Sequence, residues 1–409
     1  MLYDLNTDLA ALPGVLGLEL KRYYNSLSSH SGIAGPQWRL SYETVLYDLG
    51  SQIQILQADG RRLSFAKSLA KGAGSGLCTS PQLADGQVRI EQGSDGKPVY
   101  HWRWADGRTL TFMGGTAGGF PLHRISAPTG EQLQLRYNPL GDLVAVTDPQ
   151  GRSLSFLYGR AGPGQRAPLE SVDTPLGRIR YAHDKLGRLT EAAFLPLNGS
   201  ALGKATLTRL YHYEEAHQAG NSFALTGISL RAPGAQDQRL STYAYETSGA
   251  AILTTRGRPQ ARDDKGQVLP GTGIEQLQVR YEARPLPQEG APDRSGEVQP
   301  RSFGRIVLTN ALGQATVLRS AVIAGQLRLI DSRGAGCSTC GPANVSYGYD
   351  REGRLIRSTQ LSAEGTPLRA ELRRYDAWGR LAETSIQAYE KGKPQAPQWT
   401  QRLAYRDQR

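Results

Sequence analysis

The sequence predicts an all-β protein built from serial antiparallel hairpins, with little helix. Three observations predict it. One four-residue turn signature recurs along the chain, and short alternating segments join its copies. Glycine and tyrosine are abundant, at 48 and 19 residues, whereas methionine is nearly absent, at 2. Tight turns favour glycine, and half-buried strands suit tyrosine, whose ring packs while its hydroxyl reaches water.

The signature is a capping residue, often proline next, any residue, then glycine. It occurs at Ala127–Gly130, Asn138–Gly141, Asp148–Gly151, Thr174–Gly177, Asp184–Gly187, Asn310–Gly313, Asp350–Gly353 and Asp376–Gly379. Asp or Asn accepts a hydrogen bond from the backbone two residues on. Proline presets φ for a type I turn, and glycine tolerates the exit conformation.

Between turns the chain alternates polar and apolar residues, as in Leu133, Leu135 and Tyr137, or Leu154, Phe156 and Tyr158. That period marks a strand with one face on a core. Gly141 to Gly151 and Gly177 to Gly187 are both ten residues, which leaves about six for a strand. Gly151 to Gly177 and Gly353 to Gly379 are both 26, the spacing an extra hairpin would give. Stretches such as 200–209 lack a helical period.

Tyr349-Asp350-Arg351-Glu352-Gly353-Arg354-Leu355 and Tyr375-Asp376-Ala377-Trp378-Gly379-Arg380-Leu381 resemble the YD repeat of Rhs proteins, toxin-complex shells, teneurins and wall-associated proteins. His183-Asp184-Lys185-Leu186-Gly187-Arg188-Leu189 is a variant with His for Tyr. Leu12-Pro13-Gly14, then Arg22-Tyr23-Tyr24-Asn25-Ser26, then Gly35-Pro36-Gln37-Trp38 is similar to the domain that opens many bacterial Rhs cores. The resemblance covers most of residues 1–190 and 335–405, and the middle of the chain fits only by context. It implies a β-sheet strip spiralling into a hollow shell around a C-terminal toxin, with delivery by type VI or related secretion. The segment that usually precedes the opening domain, the self-cleavage motif and the toxin are not found, so a partial shell is expected. Residues 1–120 then form an opening β region. Residues 121–409 form the strip, with loop-rich inserts near 256–273 and 285–300 that interrupt it without dividing it.

The net charge is +11 and the pI near 9.6, a balance that suits nucleic acid. However, 39 of the 48 basic residues are arginine, and many stand just after a turn glycine: Arg152, Arg178, Arg188, Arg354 and Arg380. They are spread out, without a binding fingerprint, so the charge belongs to the repeat and no nucleic-acid partner is expected. No run of 18 apolar residues occurs, so no membrane span is expected, and the start lacks a signal peptide. The compartment stays open: cytoplasmic before export, or reached by a route independent of a signal peptide.

Constellations for chemistry are few, and neither a catalytic residue nor a cofactor is expected. Cys337 and Cys340 form a C-x-x-C in a glycine-rich stretch, which reads first as a local bridge or thiol pair. A metal shared with a distant ligand, or a redox role, is the lesser reading, since a tetrahedral site needs four ligands. His212 and His217 are five apart, not the four of a helical zinc pair. Gly72, Gly74 and Gly76 lack phosphate-loop spacing. Tyr100, Trp102 and Trp104 share one face, either as a sugar-stacking ledge or, more simply, as one buried row of the sheet.

The sequence thus points to a structural, non-enzymatic shell segment. Its partners would be the remaining shell, or a toxin or secretion component. The alternative is a cell-surface module binding carbohydrate or protein.

Overall fold

The computed structural model describes residues 2–68, 76–80, 82–115, 119–160, 167–213, 221–288, 290–335, 343–377 and 379–405. They are almost all strand and turn, with one 3-10 turn at Leu83–Asp85 among them. Every strand pairing described is antiparallel, mostly between chain neighbours, as serial hairpins require. The chain forms two compact units, residues 1–80 with 84–251 and 256–258, and residues 81–83 with 252–255 and 259–409.

The first unit opens with a three-stranded sheet, in which Leu20–Asn25 lies between Tyr3–Leu9 and Trp38–Leu40. Eight strands then close on themselves. In order they are Val45–Asp48, Gln52–Leu56, Arg62–Ser68, Gly76–Thr79, Gln87–Gln92, Pro98–Arg103, Thr109–Phe112 and Gly119–Ser126. Each pairs with the next, and Gly119–Pro121 returns to pair with Val45–Tyr47. Eight strands leave an interior that side chains just fill. The inward residues stand opposite one another across the ladders: Leu46 and Ile55, Cys78 and Val88, Ile90 and Tyr100, Tyr100 and Phe112, Phe112 and Leu122. All are buried.

Gly119–Ser126 has a third neighbour. Its second half also pairs with Gln132–Tyr137, which begins the repeat strip. The boundary expected at residue 120 therefore falls inside a strand that serves both bodies. From there hairpins follow through Leu143–Thr147, Ser153–Tyr158, Leu169–Thr174, Gly177–His183 and Leu189–Asn198, on to Gln238–Tyr245. The second unit runs the same way from Ile274–Ala283 to Gln398–Arg402.

The turns have one construction. At Asp148 the residue's N–H donates to the Arg152 carbonyl, and the Gly151 N–H donates back to the Asp148 carbonyl, both at 3.0 Å. Gly151 sits at φ +79°, which makes this a type I turn closed by a glycine bulge. The same pair of bonds closes the turns at Ala127, Asn138, Asp184, Asn310, Asp350 and Asp376. Thr174–Gly177 departs from it. There Thr174 and Gly177 are themselves a ladder pair, and only Pro175 and Leu176 lie outside the strands.

Both inserts reuse the device. Arg262 bridges to Val268 around Asp263–Gly266, and Pro292 bridges to Val298 around Asp293–Gly296. The second insert packs on the strip of its own unit. The Val298 N–H donates to the Tyr349 carbonyl at 2.8 Å, and Glu297 pairs with Arg357 at 2.7 Å.

Two glycines separate backbone strain from crowding. At Gly151 a Cβ would meet nothing within 4 Å, so Gly151→Ala should lower stability by only about 1–2 kcal/mol, the penalty of a left-handed alanine. At Gly86, φ +75°, a Cβ would lie 2.0 Å from the Arg103 carbonyl oxygen, so Gly86→Ala should cost clearly more. Urea unfolding of the two variants ranks them.

Candidate functional site

Two constructions recur where the sequence motifs fall. The first is a clasp between successive repeats. In Asp350–Leu355 the Asp350 carboxylate accepts the Arg354 N–H at 2.8 Å and the Arg354 Nε–H at 2.6 Å. Asp376 holds Arg380 in the same way, at 2.8 and 2.7 Å. So fixed, the guanidinium of Arg354 lies over the Tyr375 ring, 5.0 Å from its centroid, and that of Arg380 lies 4.4 Å from the Tyr405 centroid. Each tyrosine also donates its hydroxyl to the carbonyl of the leucine after that arginine: Tyr375 to Leu355 at 2.9 Å and Tyr405 to Leu381 at 2.8 Å. Tyr349 repeats this on Arg328 and Leu329. Tyr137, Tyr158 and Tyr245 make the hydroxyl bond to Leu122, Leu143 and Leu225.

The residue types of the Y-D-x-x-G-R-L motif follow from this. Asp must accept two donors, Gly must bulge, Arg must be planar to stack while bonded, and Tyr needs both a ring and a hydroxyl. A cation over a ring contributes about 0.5–2 kcal/mol and a hydroxyl bond about 1 kcal/mol.

The second construction is a joint within the first unit, made by the opening motifs. Arg22 is fully buried and pairs with Asp8 at 2.5 Å. Its guanidinium lies 5.2 Å from the Trp38 and Tyr211 centroids and 5.4 Å from that of Tyr181. It donates to the Tyr211 hydroxyl at 2.8 Å, while the Tyr181 hydroxyl donates to Asp8 at 2.7 Å. Burial, the largest influence, pulls the Arg22 pKa down. The Asp8 carboxylate and the two phenols outweigh it and hold Arg22 charged, its pKa above the ordinary value. Burial beside Asp8 pushes the Tyr181 phenol well up, so it stays a donor.

The remaining motif residues close the same joint. Trp38 Nε1–H donates to the Tyr213 hydroxyl at 3.0 Å. The Tyr24 hydroxyl accepts the Leu225 N–H at 2.8 Å, and the Ser26 hydroxyl accepts the Leu2 N–H at 2.9 Å. The turn at Asp148 meets the Leu-Pro-Gly element, where Arg152 donates to the Pro13 carbonyl at 2.7 Å. The turn at Asp184 meets the opening residues too, as His183 Nε2–H donates to the Ala34 carbonyl at 3.2 Å. The repeat turns thus serve as sockets for the opening sheet.

The sugar-stacking ledge is corrected. Tyr100 and Trp102 are each 2% exposed, inside the barrel, where Tyr100 donates to Asp48 at 2.7 Å and Trp102 to the Asp85 carbonyl at 2.7 Å. Trp104 stays partly exposed, but its ring is covered by Arg108 at 4.3 Å and packs against Trp102 at 5.1 Å. Tyr100 and Trp102 thus follow the buried-row reading, and Trp104 lies at the row's partly exposed end. A cleft of about 360 Å³ opens here, lined by Trp102 and Trp104 together with Asp59, Arg61, Asp85 and Asp106 among others.

His212 bonds the Ser229 hydroxyl at 2.8 Å. His217, Cys337 and Cys340 lie outside the described residues. Among the described residues no three His, Cys, Asp or Glu side chains are grouped to hold a metal. Sequence reasoning missed the Asp8, Tyr181 and Tyr211 partners of Arg22. They come from three distant segments, and only a charge within an aromatic run at residues 22–24 signalled them.

Residues 1–65 match a family described as a domain of unknown function, DUF6531. No curated protein matches the chain. Among solved structures it is similar to the crystal structure of TcdB2-TccC3-TEV, at 12% identity over 92% of this chain and 23% of that one, with a TM-score of 0.21. It is also similar to the Photorhabdus luminescens Tc holotoxin pore, at 11% identity over 94% and 22%, with a TM-score of 0.24. The crystal structure of TcdB2-TccC3 gives 14% identity over 91% and 24%, with a TM-score of 0.22. The chain spans less than a quarter of the length of these structures.

Two expectations follow. Tyr375→Leu and Arg354→Met should each destabilise, and a double-mutant cycle between them should show coupling of about 1 kcal/mol, the double variant losing less than the sum of the two single losses. Arg22→Met should cost about 3–5 kcal/mol by stranding the Asp8 carboxylate, and adding Asp8→Asn should recover part of it in urea titrations.

Proposed function

We propose that this chain is a structural, non-enzymatic segment of an Rhs/YD-repeat shell, associated with enclosing and delivering a polymorphic toxin. The observation that carries the reading is the clasp. Each copy of the motif spends its charged and aromatic residues on holding its neighbour, which suits wall-building and leaves those side chains no part in turnover. The family match over residues 1–65 supports the reading, because it falls on the stretch carrying the L-P-G, R-x-Y-N-S and G-x-x-W elements. Partners would be further repeats of the shell, and a toxin or secretion component.

The test is to express the chain together with the coding sequence that flanks it. Further Tyr-Asp turns and an enzyme domain are expected. Tryptic digestion of that domain should be slowed by about tenfold or more within the folded assembly, relative to the domain alone. Equal digestion in both settings would overturn the reading.

A further inference from the structure

The turns at Asp148 and Asp350 are built alike. In each, the aspartate accepts the N–H of the arginine that follows the glycine, at 2.9 and 2.8 Å, and its Nε–H, at 2.7 and 2.6 Å. In each, an Nη of that arginine also reaches the side-chain oxygen of the third turn residue, Gln150 at 3.2 Å and Glu352 at 3.0 Å. They differ in what lies on top. The same Nη of Arg152 donates to the Pro13 carbonyl at 2.7 Å, and Gln150 Nε2–H donates to the Val15 carbonyl at 3.3 Å. Gly14 stands between those two residues at φ +117°, and a Cβ on it would lie 2.8 Å from Gln150 Cδ. The turn at Asp184 is covered too, where Arg188 donates to the Ser222 carbonyl at 2.5 Å.

At Asp350 no segment among the described residues takes that place. Arg354 bonds only its own turn, through Asp350 and Glu352. The second insert bonds Tyr349 and Arg357 instead. The Asp148 side chain has no exposure under its cover, whereas that of Asp350 keeps 14%. Beside the bare turn a cleft of about 470 Å³ opens, lined by Asp350, Arg354, Arg374 and Tyr375 and by Asp293 and Ser295 of the insert, among others.

We propose that the turn at Asp350–Arg354 is an open socket for an extended polypeptide segment of Pro-Gly type, which lays a backbone carbonyl on Arg354 and a basic side chain on Glu352.

The third turn residue sets the chemistry of the occupant. Gln150 has an amide N–H to give, so its cover presents a carbonyl. Glu352 as a carboxylate can only accept, so its cover must bring a donor, and a cation suits it best. Glycine comes just before that donor, because the third residue stands where a Cβ would be. The Arg354 guanidinium is already fixed by Asp350 and stacked on Tyr375, so an incoming carbonyl meets a donor in place. Such docking goes beyond the wall-building role, since it needs no enclosed toxin.

Two probes test it on the full chain, acetyl-Leu-Pro-Gly-Lys-amide and acetyl-Leu-Pro-Gly-Val-amide, each carrying a photoreactive diazirine on the leucine. After irradiation, digestion and mass spectrometry locate the label. It should fall within residues 293–297 or 350–357, and not at 148–152, where the chain's own Leu-Pro-Gly element sits. The lysine probe should label the native chain about two- to fivefold more than the valine probe, the range of an exposed ion pair. In Glu352→Gln the two should label about equally. Label no stronger at 293–297 or 350–357 than at 148–152 in the native chain overturns the socket, whatever the variant does. A lysine preference that survives Glu352→Gln overturns it as well.

Discussion

A hairpin of some ten residues buries too little to stand alone, so each must be held by the next. The tyrosine that reaches back over an arginine and onto a leucine carbonyl is what holds it. In the turns opened by Asp148, Asp184, Asp350 and Asp376 the aspartate fixes the following arginine by backbone and side chain together, and the glycine bulge brings the two within reach. Without the bulge the arginine would be displaced by one residue and turned to the wrong face. Turn chemistry and inter-repeat packing are therefore one constraint.

The joint at Arg22 uses the same partners in a dry setting. A guanidinium with no exposure holds only because a carboxylate, two phenols and an indole surround it. Such a cluster adds little net energy over a well-packed apolar one. It does demand a single arrangement of the opening sheet on the strip, since any other takes the Tyr181 and Tyr211 hydroxyls away from the buried Arg22–Asp8 pair.

Much of this was legible in the sequence. Turn positions follow from local chemistry, and alternation such as that at residues 133–137 gave strands that the structure bears out. Closure of the barrel was not legible, because residues 45–47 and 119–121 meet across a sequence gap that no local period encodes. Nor does alternation say which face is inside, so Trp102 could be placed on a strand but not in a core. The inserts were read as loops although Asp263–Gly266 and Asp293–Gly296 carry the turn signature. Proline and charge around them hid it. At Thr174 the signature was present but the loop was not, since threonine bonds across the turn through its hydroxyl.

The back-reaching tyrosines give the strip a polarity that an ordinary sheet lacks. Each of the six hydroxyl bonds described runs from a later residue back to an earlier segment of the chain. A polypeptide emerging from a ribosome or a narrow channel, amino end first, can therefore lock every module as soon as its successor's aromatic ring appears. Threading in the opposite direction would offer rings before their sockets, leaving each to wait unfastened.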